Sequence, residues 1–371
     1  MAIQRVEVFR LRQPVAAPTG PSGATYRERS CVLVRLRDTD GLDGWGETYA
    51  RAGVAATIEE VGGLLVGRDP ADARPLLDAL RVATADQLAV SALAIALDDL
   101  RARRLGVPVA ALYGGRRRDR VRAYASSGGY VEGVDPERSW PDEVAAARRD
   151  GFTACKIRIG RFAPSRELPI LAKVRDEVGD GVDLMVDANG AYTVPGAREV
   201  ARGLAALRFR WLEEPLIRHR GGLSYPGYAH LGGLDIAIAA AEGLETRGAF
   251  DAFLRDTPVD IVQPDVAICG GVGELAFVAD LAALRGRQCV PHAWGGAVLL
   301  AATLQAVSLL PEPTELAGPD SPLLELDRFD NPMRTRLAAE PFTLTAGHVS
   351  IPDGPGLGIT VDEDFVRHAA G

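Results

Sequence analysis

The sequence predicts an α/β protein in which a (β/α) barrel follows a smaller α+β domain. Three observations carry that reading. From Arg120 onward, short apolar strands alternate with helical sequence at a repeat of roughly 25 to 35 residues, the texture of a parallel sheet covered by helices. Before Arg120, strand-like segments are followed by a dense alanine- and leucine-rich stretch at helical spacing. Finally, seven consecutive strands end in charged or polar residues, where such barrels place their chemistry.

The elements follow in order. Ile3 to Arg10, Ser30 to Arg37 and Gly44 to Thr48 alternate as strands, joined by turn-rich sequence such as Asp40-Gly41-Leu42-Asp43-Gly44, so an antiparallel meander is expected. Thr57 to Leu105 reads as helical and stops at Gly106-Val107-Pro108. The barrel strands are Val121 to Ser126, Ala154 to Ile159, Asp183 to Asp187, Arg210 to Glu213, Ile236 to Ala240, Asp260 to Val262, Gln288 to Val290 and Leu323 to Leu326. Each of the first seven is followed by helical sequence, for example Pro141 to Arg149 and Gly273 to Leu284. The tail around Gly347-His348-Val349-Ser350-Ile351-Pro352 fits neither pattern and is expected to fold back onto the N-terminal domain. The expected division is residues 1–120 as the first part of a capping domain, 121–330 as the barrel and 331–371 as the segment completing the cap.

Composition excludes several partners. With 50 acidic against 42 basic residues and no long run of Lys/Arg, the chain lacks the electrostatic footprint of a nucleic-acid binder. Its most apolar segments, Leu88 to Leu97 and Ala297 to Leu310, are too short or too interrupted to span a membrane. The start, Met1-Ala2-Ile3-Gln4-Arg5-Val6-Glu7, alternates like a strand and shows no secretory leader. Four widely spaced cysteines (Cys31, Cys155, Cys269, Cys289) read as buried thiols in a reducing cytoplasm. Of the 42 basic residues only Lys156 and Lys173 are lysine, so a lysine here stands out.

The candidate site lies at the strand ends. Strand two ends in Lys156-Ile157-Arg158, whose period of two puts both cations on one side. Asp187 follows on strand three with Asn189, Glu213 on strand four, Glu242 on strand five, Asp265 on strand six, His292 with Trp294 on strand seven, and Glu325 on strand eight. One acid from each of three neighbouring strands makes an oxygen-rich pocket suited to a hard cation such as Mg2+. Singly, an aspartate at a strand end is commonly a helix cap, and only one of Glu213 and Glu214 can face the mouth. His219, His230, His348 and His368 sit in loops or at the terminus, with no chemistry assigned. In the N-terminal domain Thr25, Tyr26, Arg27 and Tyr49 are candidate substrate contacts, and the loop Pro18-Thr19-Gly20-Pro21-Ser22-Gly23 is a candidate lid.

Together these residues resemble the pattern of the enolase superfamily, within it the mandelate racemase subgroup, over essentially the whole chain. Trp211-Leu212-Glu213-Glu214-Pro215, the turn Gly270-Gly271-Val272-Gly273 and the segment Gly354-Pro355-Gly356-Leu357-Gly358 strengthen the match. The resemblance implies a (β/α)7β modified TIM barrel with an α+β capping domain, Asp187, Glu213 and Glu242 as Mg2+ ligands, Asp265 and His292 as a dyad, and Glu325 as the acid of strand eight. It also implies a small-molecule carboxylate substrate and a homo-oligomer. The subgroup's Lys-x-Lys motif is matched at Lys156 and departs at Arg158.

The implied chemistry is removal of the proton beside a carboxylate, with the enediolate charge developing against a fixed dication. His292 is the expected base, oriented by Asp265, and Glu325, if protonated, would donate a hydrogen bond to the enediolate. Arginine is a poor base and a good carboxylate clamp, so Arg158 favours dehydration of an acid sugar to a 2-keto-3-deoxy acid over racemisation. The alternatives are a racemase or epimerase of an α-hydroxy acid, a muconate-lactonizing type, a Schiff-base aldolase using Lys156, and a metal-binding barrel without catalysis.

Overall fold

Ile3–Gly20 (β1), Tyr26–Asp38 (β2) and Asp43–Tyr49 (β3) form an antiparallel meander in the computed structural model, which describes residues 2–217, 225–311 and 322–370. The strands of the first hairpin run further than the alternation predicts. Leu11 pairs with Cys31, Pro14 with Glu28 and Thr19 with Tyr26, the register shifting between Pro14 and Thr19. Pro14 and Pro18 read as breakers, yet an irregular stretch of ladder tolerates the missing N–H of proline. Of the candidate lid, Pro18, Thr19 and Gly20 are therefore still strand, and Tyr26 and Arg27 already belong to β2.

Both faces of β2 are buried, and its period of two divides them. Val32, Val34 and Leu36 pack with three helices, Val54–Gly62 (α1), Ala73–Ala83 (α2) and Gln87–Leu105 (α3), whereas Cys31 and Leu33 join the larger core shared with the barrel. Asp86 caps α3 by accepting from the N–H groups of Leu88 and Ala89 at 3.1 and 3.2 Å, and Gly106, in the left-handed region, ends it. β3 lies close against α3 because it carries glycine where they meet. A Cβ on Gly44 or Gly46 would come within 2.3 Å of Ala96 O or 2.0 Å of Ala92 O, respectively.

The chain then enters the barrel at Arg120–Ser127 (β4), with Tyr130–Val131 (β5) returning to pair with the end of β1. Pro136–Arg149 (α4), Ala154–Arg158 (β6), Pro164–Val178 (α5), Asp183–Asp187 (β7), Val194–Ala206 (α6) and Trp211–Glu213 (β8) continue the alternation. Among the described residues β8 is followed only by a 3-10 turn at Tyr228–His230, where helical sequence was expected; His219 lies outside them. Ala237–Ala240 (β9), Arg247–Asp256 (α7), Ile261–Val262 (β10), Val272–Leu284 (α8), Gln288–Cys289 (β11), Ala297–Leu309 (α9) and Leu323–Asp327 (β12) complete the ring. The ladder is parallel from β4 through β11, and β12 closes onto β4 with Glu325 opposite Tyr124. No ladder joins β11 to β12 among the described residues; Ala293 N–H donates to Glu325 Oε2 across that seam at 3.0 Å.

A closed interior layer shows the ring most directly. Tyr124, Ala154, Met185, Trp211, Ala239, Ile261, Val290 and Leu323, one residue from each strand, form a single buried apolar cluster.

After Pro332–Arg336 (α10), the tail does not go straight to the capping domain. Leu344–Thr345 (β13) and His348–Ser350 (β14) form a hairpin, and β14 pairs antiparallel with Arg120–Arg122 of β4. The start of β4 has a free edge at that level, and the hairpin satisfies it. The final helix, Glu363–Ala370 (α11), packs on β1, with Glu363 accepting from Arg35 at 2.9 Å. The four cysteines are buried free thiols, and no helix among the described residues is long and apolar enough to cross a membrane.

Candidate active site

Because side chains alternate along a strand, two residues beyond the apolar ring is again an inward position. Counting two from its members gives Ser126, Lys156, Asp187, Glu213, Gln263, His292 and Glu325, polar on seven of the eight strands. Strand β9 is the exception. The count reaches Ala241, which adopts φ 90, a conformation that side chains other than glycine rarely take. That strained residue shifts the parity by one and leaves Glu242, not residue 241, lining the cavity. A similar turn follows Glu213: Glu214 has φ 39, is buried, and accepts from Tyr225 Oη at 3.1 Å. Glu213 alone of the pair joins the polar layer.

Within the layer the charges are paired tightly. Lys156, wholly buried, places Nζ 2.6 Å from Glu213 Oε1, 2.9 Å from Glu325 Oε1 and 3.9 Å from Asp187 Oδ2. Glu213 also accepts from Trp211 Nε1 at 3.1 Å and Gln263 Nε2 at 2.9 Å. Arg158 donates to Asp187 and, at 3.2 Å, to Asn189 Oδ1. Burial disfavours its charge, but Asp187, Glu325, Glu213 and Glu242 outweigh that and hold it protonated above its ordinary range. Lys156 is likewise held charged against burial by Glu213 and Glu325.

On the other flank His292 Nδ1 lies 2.6 Å from Asp265 Oδ2 and Nε2 lies 3.3 Å from Glu242 Oε2. Asp265 is fixed in turn by Ala267 N–H at 2.7 Å and by Tyr49 Oη at 2.6 Å. The capping domain thus reaches the dyad through Tyr49, which contacts Asp265 rather than standing free for substrate. Burial lowers the basicity of His292, yet Glu242, Glu325 and Asp265 prevail and push it up to about 10. Glu325 corrects an expectation. Burial favours its neutral acid, but Lys156, His292 and Arg158 hold it ionised, so here it accepts hydrogen bonds instead of donating one.

Five carboxylates (Asp187, Glu213, Glu242, Asp265, Glu325) face the cations Lys156 and Arg158 and one imidazole. Among the described residues no three acidic, histidine or cysteine side chains already converge on one point. Arg158 sits on Asp187, Lys156 on Glu213, and His292 faces Glu242. The donor set nonetheless fits a hard divalent cation, being all oxygen with surplus negative charge. Burial, followed by the neighbouring Asp187 and Glu325 charges, acts to raise the Glu213 carboxyl, and its pairing with Lys156 does not fully offset them.

Above these groups lies a cavity of about 320 Å3 lined by both domains, including Tyr26, Arg29, Glu47, Tyr49, Arg158, Asn189, Glu242, His292 and Trp294. Tyr26 faces it and packs against Trp294 at 5.0 Å between ring centroids, the rings tilted by 49°. Thr25 and Arg27 do not line it, and Arg27 pairs with Glu132 on the surface. The candidate lid is pinned down. Ser22 Oγ donates to Ala188 O at 3.0 Å, and Arg161 donates to the carbonyls of Pro21 and Ala24 at 2.6 and 2.7 Å.

Two cavity residues were not singled out from the sequence. Arg29 lies with its guanidinium carbon 3.6 Å from the Trp294 ring centroid. Glu47, buried on β3, accepts from the N–H groups of Gly296 and Leu299 at the start of α9. The one signal for Glu47 is a lone acid after alternating glycines in Gly44-Trp45-Gly46-Glu47; Arg29 carries none.

The sequence matches two family models, the mandelate racemase / muconate lactonizing enzyme N-terminal domain over residues 4–114 and the enolase C-terminal domain-like family over residues 140–365. It is 36% identical over 374 aligned residues to the D-galactarolactone cycloisomerase of Agrobacterium fabrum, covering 98% of this chain and 97% of that protein. It is 32% identical to the arabinonate dehydratase of Saccharolobus solfataricus over 91% and 90% of the two chains. A solved racemase from Streptomyces coelicolor A3(2) with bound magnesium superposes with a TM-score of 0.84 at 27% identity, covering 99% of each chain.

Proposed function

The chain belongs to the mandelate racemase / muconate lactonizing enzyme family of the enolase superfamily, and from that premise we propose that it removes the α-proton of an acid sugar and eliminates the β-substituent. The observation that carries this reading is the inequality of the two flanks. His292, held by Asp265, can exchange a proton, whereas Arg158 is held protonated by the carboxylates around it. One exchangeable base suffices for elimination; racemisation needs two.

Asp187, Glu213 and Glu242 would hold Mg2+, which supplies a fixed positive charge for the substrate carboxylate and its enediolate. Glu242 is also the carboxylate facing Nε2 of His292, so engaging it elsewhere removes one of the charges that keep the ring protonated. Asp265 accepts from Nδ1 and leaves Nε2 toward the cavity as the basic atom. Nε2 takes the α-proton, and the C–H electron pair moves into the enediolate. That pair then forms the Cα–Cβ double bond as the β-hydroxyl departs, taking the proton from Nε2 and leaving as water. The enol product tautomerises to a 2-keto-3-deoxy acid. Lys156 and Arg158 offset part of the layer's negative charge, and Asn189, Tyr26 and Trp294 line the space the sugar chain would fill.

A second reading is favoured by the likeness to the D-galactarolactone cycloisomerase. If the β-oxygen belongs to a ring, the same proton removal opens the ring without losing water. Incubating the enzyme with Mg2+ and a panel of acid sugars and their lactones in deuterated water tests both. Formation of a 2-keto-3-deoxy acid is expected. Deuterium entering both α-epimers with no keto product would instead establish racemisation.

A further inference from the structure

Glu325 on β12 belongs to the polar layer, and two residues later the same face carries Asp327, one strand step or about 6.6 Å nearer the mouth. There Asp327 Oδ2 is shared by two guanidiniums, the buried Arg29 at 2.6 Å and the half-buried Arg334 at 2.8 Å, while its Oδ1 accepts from Phe329 N–H. Of the two arginines only Arg29 lines the cavity, lying flat on Trp294. Arginine has five N–H donors in a planar fork, and among the described residues Arg29 spends one of them, Nη2, on Asp327. A second cavity residue presents a buried donor with no hydrogen-bond partner among the described residues, Trp294 Nε1. The carboxylates at the rim are engaged elsewhere: Asp330 accepts from Ala16 N–H at 2.8 Å, and Glu28 lies 3.8 Å from Arg12.

A buried cation with spare donors, beside an unpartnered indole N–H, asks for an anionic acceptor that the protein does not supply. We propose that Arg29, with Trp294, forms the subsite for a second carboxylate at the far end of the substrate, so that the preferred acid sugar is a diacid. This rests on the elimination reading for what happens at the near end.

The test compares a hexaric diacid with the matching hexonic monoacid, both with Mg2+, in wild type, Arg29→Gln and Arg29→Lys. Wild type is expected to prefer the diacid in kcat/KM by about 10- to 100-fold. Arg29→Gln should bring that ratio near one, mainly through KM, and Arg29→Lys, which keeps charge without the fork, should fall between. An unchanged ratio in Arg29→Gln, or a wild type that prefers the monoacid, overturns the subsite. If Arg29→Gln does not fold, Arg29→Lys carries the comparison, and an unchanged ratio there is equally fatal. Should no acid sugar turn over, the elimination reading fails separately. The diacid's shift of the melting temperature then decides the subsite: confined to wild type it supports Arg29, and equal in wild type and variant it overturns the assignment.

Discussion

Glu47 Oε1 accepts from Gly296 N–H at 2.5 Å, and its Oε2 accepts from Leu299 N–H at 2.9 Å, so a carboxylate of the capping domain caps the barrel helix that follows the His292 strand. Glycine lets the carboxylate come this close, since a Cβ on Gly296 would lie 2.8 Å from Oε1 and push it aside. Through this contact the cap and the catalytic flank are set in one register.

The cap is sensitive to pH. Burial, only partly offset by the N–H donors of Leu299 and Gly296, raises the Glu47 carboxyl from 4.5 to about 7. Between those values the unfolded chain gives up a proton that the folded chain keeps, so stability falls as pH rises. Relative to Glu47→Gln, wild type should lose about 3 kcal/mol between pH 4.5 and 7 and change little above. Urea denaturation of both proteins across that range measures the difference, and parallel pH curves would sink the assignment.

His292→Asn should abolish turnover by roughly 10²- to 10⁴-fold, the scale of a lost acid/base group, while leaving the fold intact. Single-turnover kinetics alongside circular dichroism separates the two. Residual activity within tenfold of wild type would show that another group takes the proton.

Arg158→Lys should open a new path. A lysine can lose its proton where arginine cannot, more readily once the carboxylate beside it, Asp187, is engaged by a cation. The variant is therefore expected to exchange the α-hydrogen from the face opposite His292 and to form detectable epimer, followed by NMR in deuterated water. No exchange from that face would mean that position 158 does not approach the α-carbon.

Removing divalent cations with a chelator should stop turnover and Mg2+ should restore it, with the response lost in Asp187→Asn. Glu214→Gln serves as the contrast: Glu214 is turned toward Tyr225, so its variant should keep the Mg2+ response. A chelator-insensitive enzyme would exclude the proposed metal role.

Gly46→Ala would push a methyl carbon to 2.0 Å from Ala92 O, a backbone atom that cannot yield without moving α3. A loss of about 3 kcal/mol is expected from such overpacking, read as a lower urea midpoint. An unchanged midpoint would mean that α3 can retreat from β3 at little cost.

The sequence made the polar layer legible because a strand's period of two is a local rule. Lys156, Asp187, Glu213, His292 and Glu325 fall at inward positions that alternation alone would choose. Glu242 follows no such rule, since its place depends on the positive φ of Ala241. Arg29 and Glu47 were invisible for a different reason. Their partners, Asp327 and the N–H of Gly296, are 298 and 249 residues away, and no periodicity reports a contact made by packing one domain on another. The pairing of β14 with β4 escaped for the same reason. The charge states of Glu325 and His292 depend on three or more neighbours at once, which a linear sequence does not convey.

The apolar ring from Tyr124 to Leu323 has a consequence for divergence. It closes the barrel one register step below the layer that carries Lys156, Asp187, Glu213, His292 and Glu325. A lineage that exchanges one side chain of the upper layers, such as residue 158, changes its reaction without reopening the problem of how the barrel folds. Such a floor lets relatives that share one architecture part ways in chemistry by a few substitutions at the mouth.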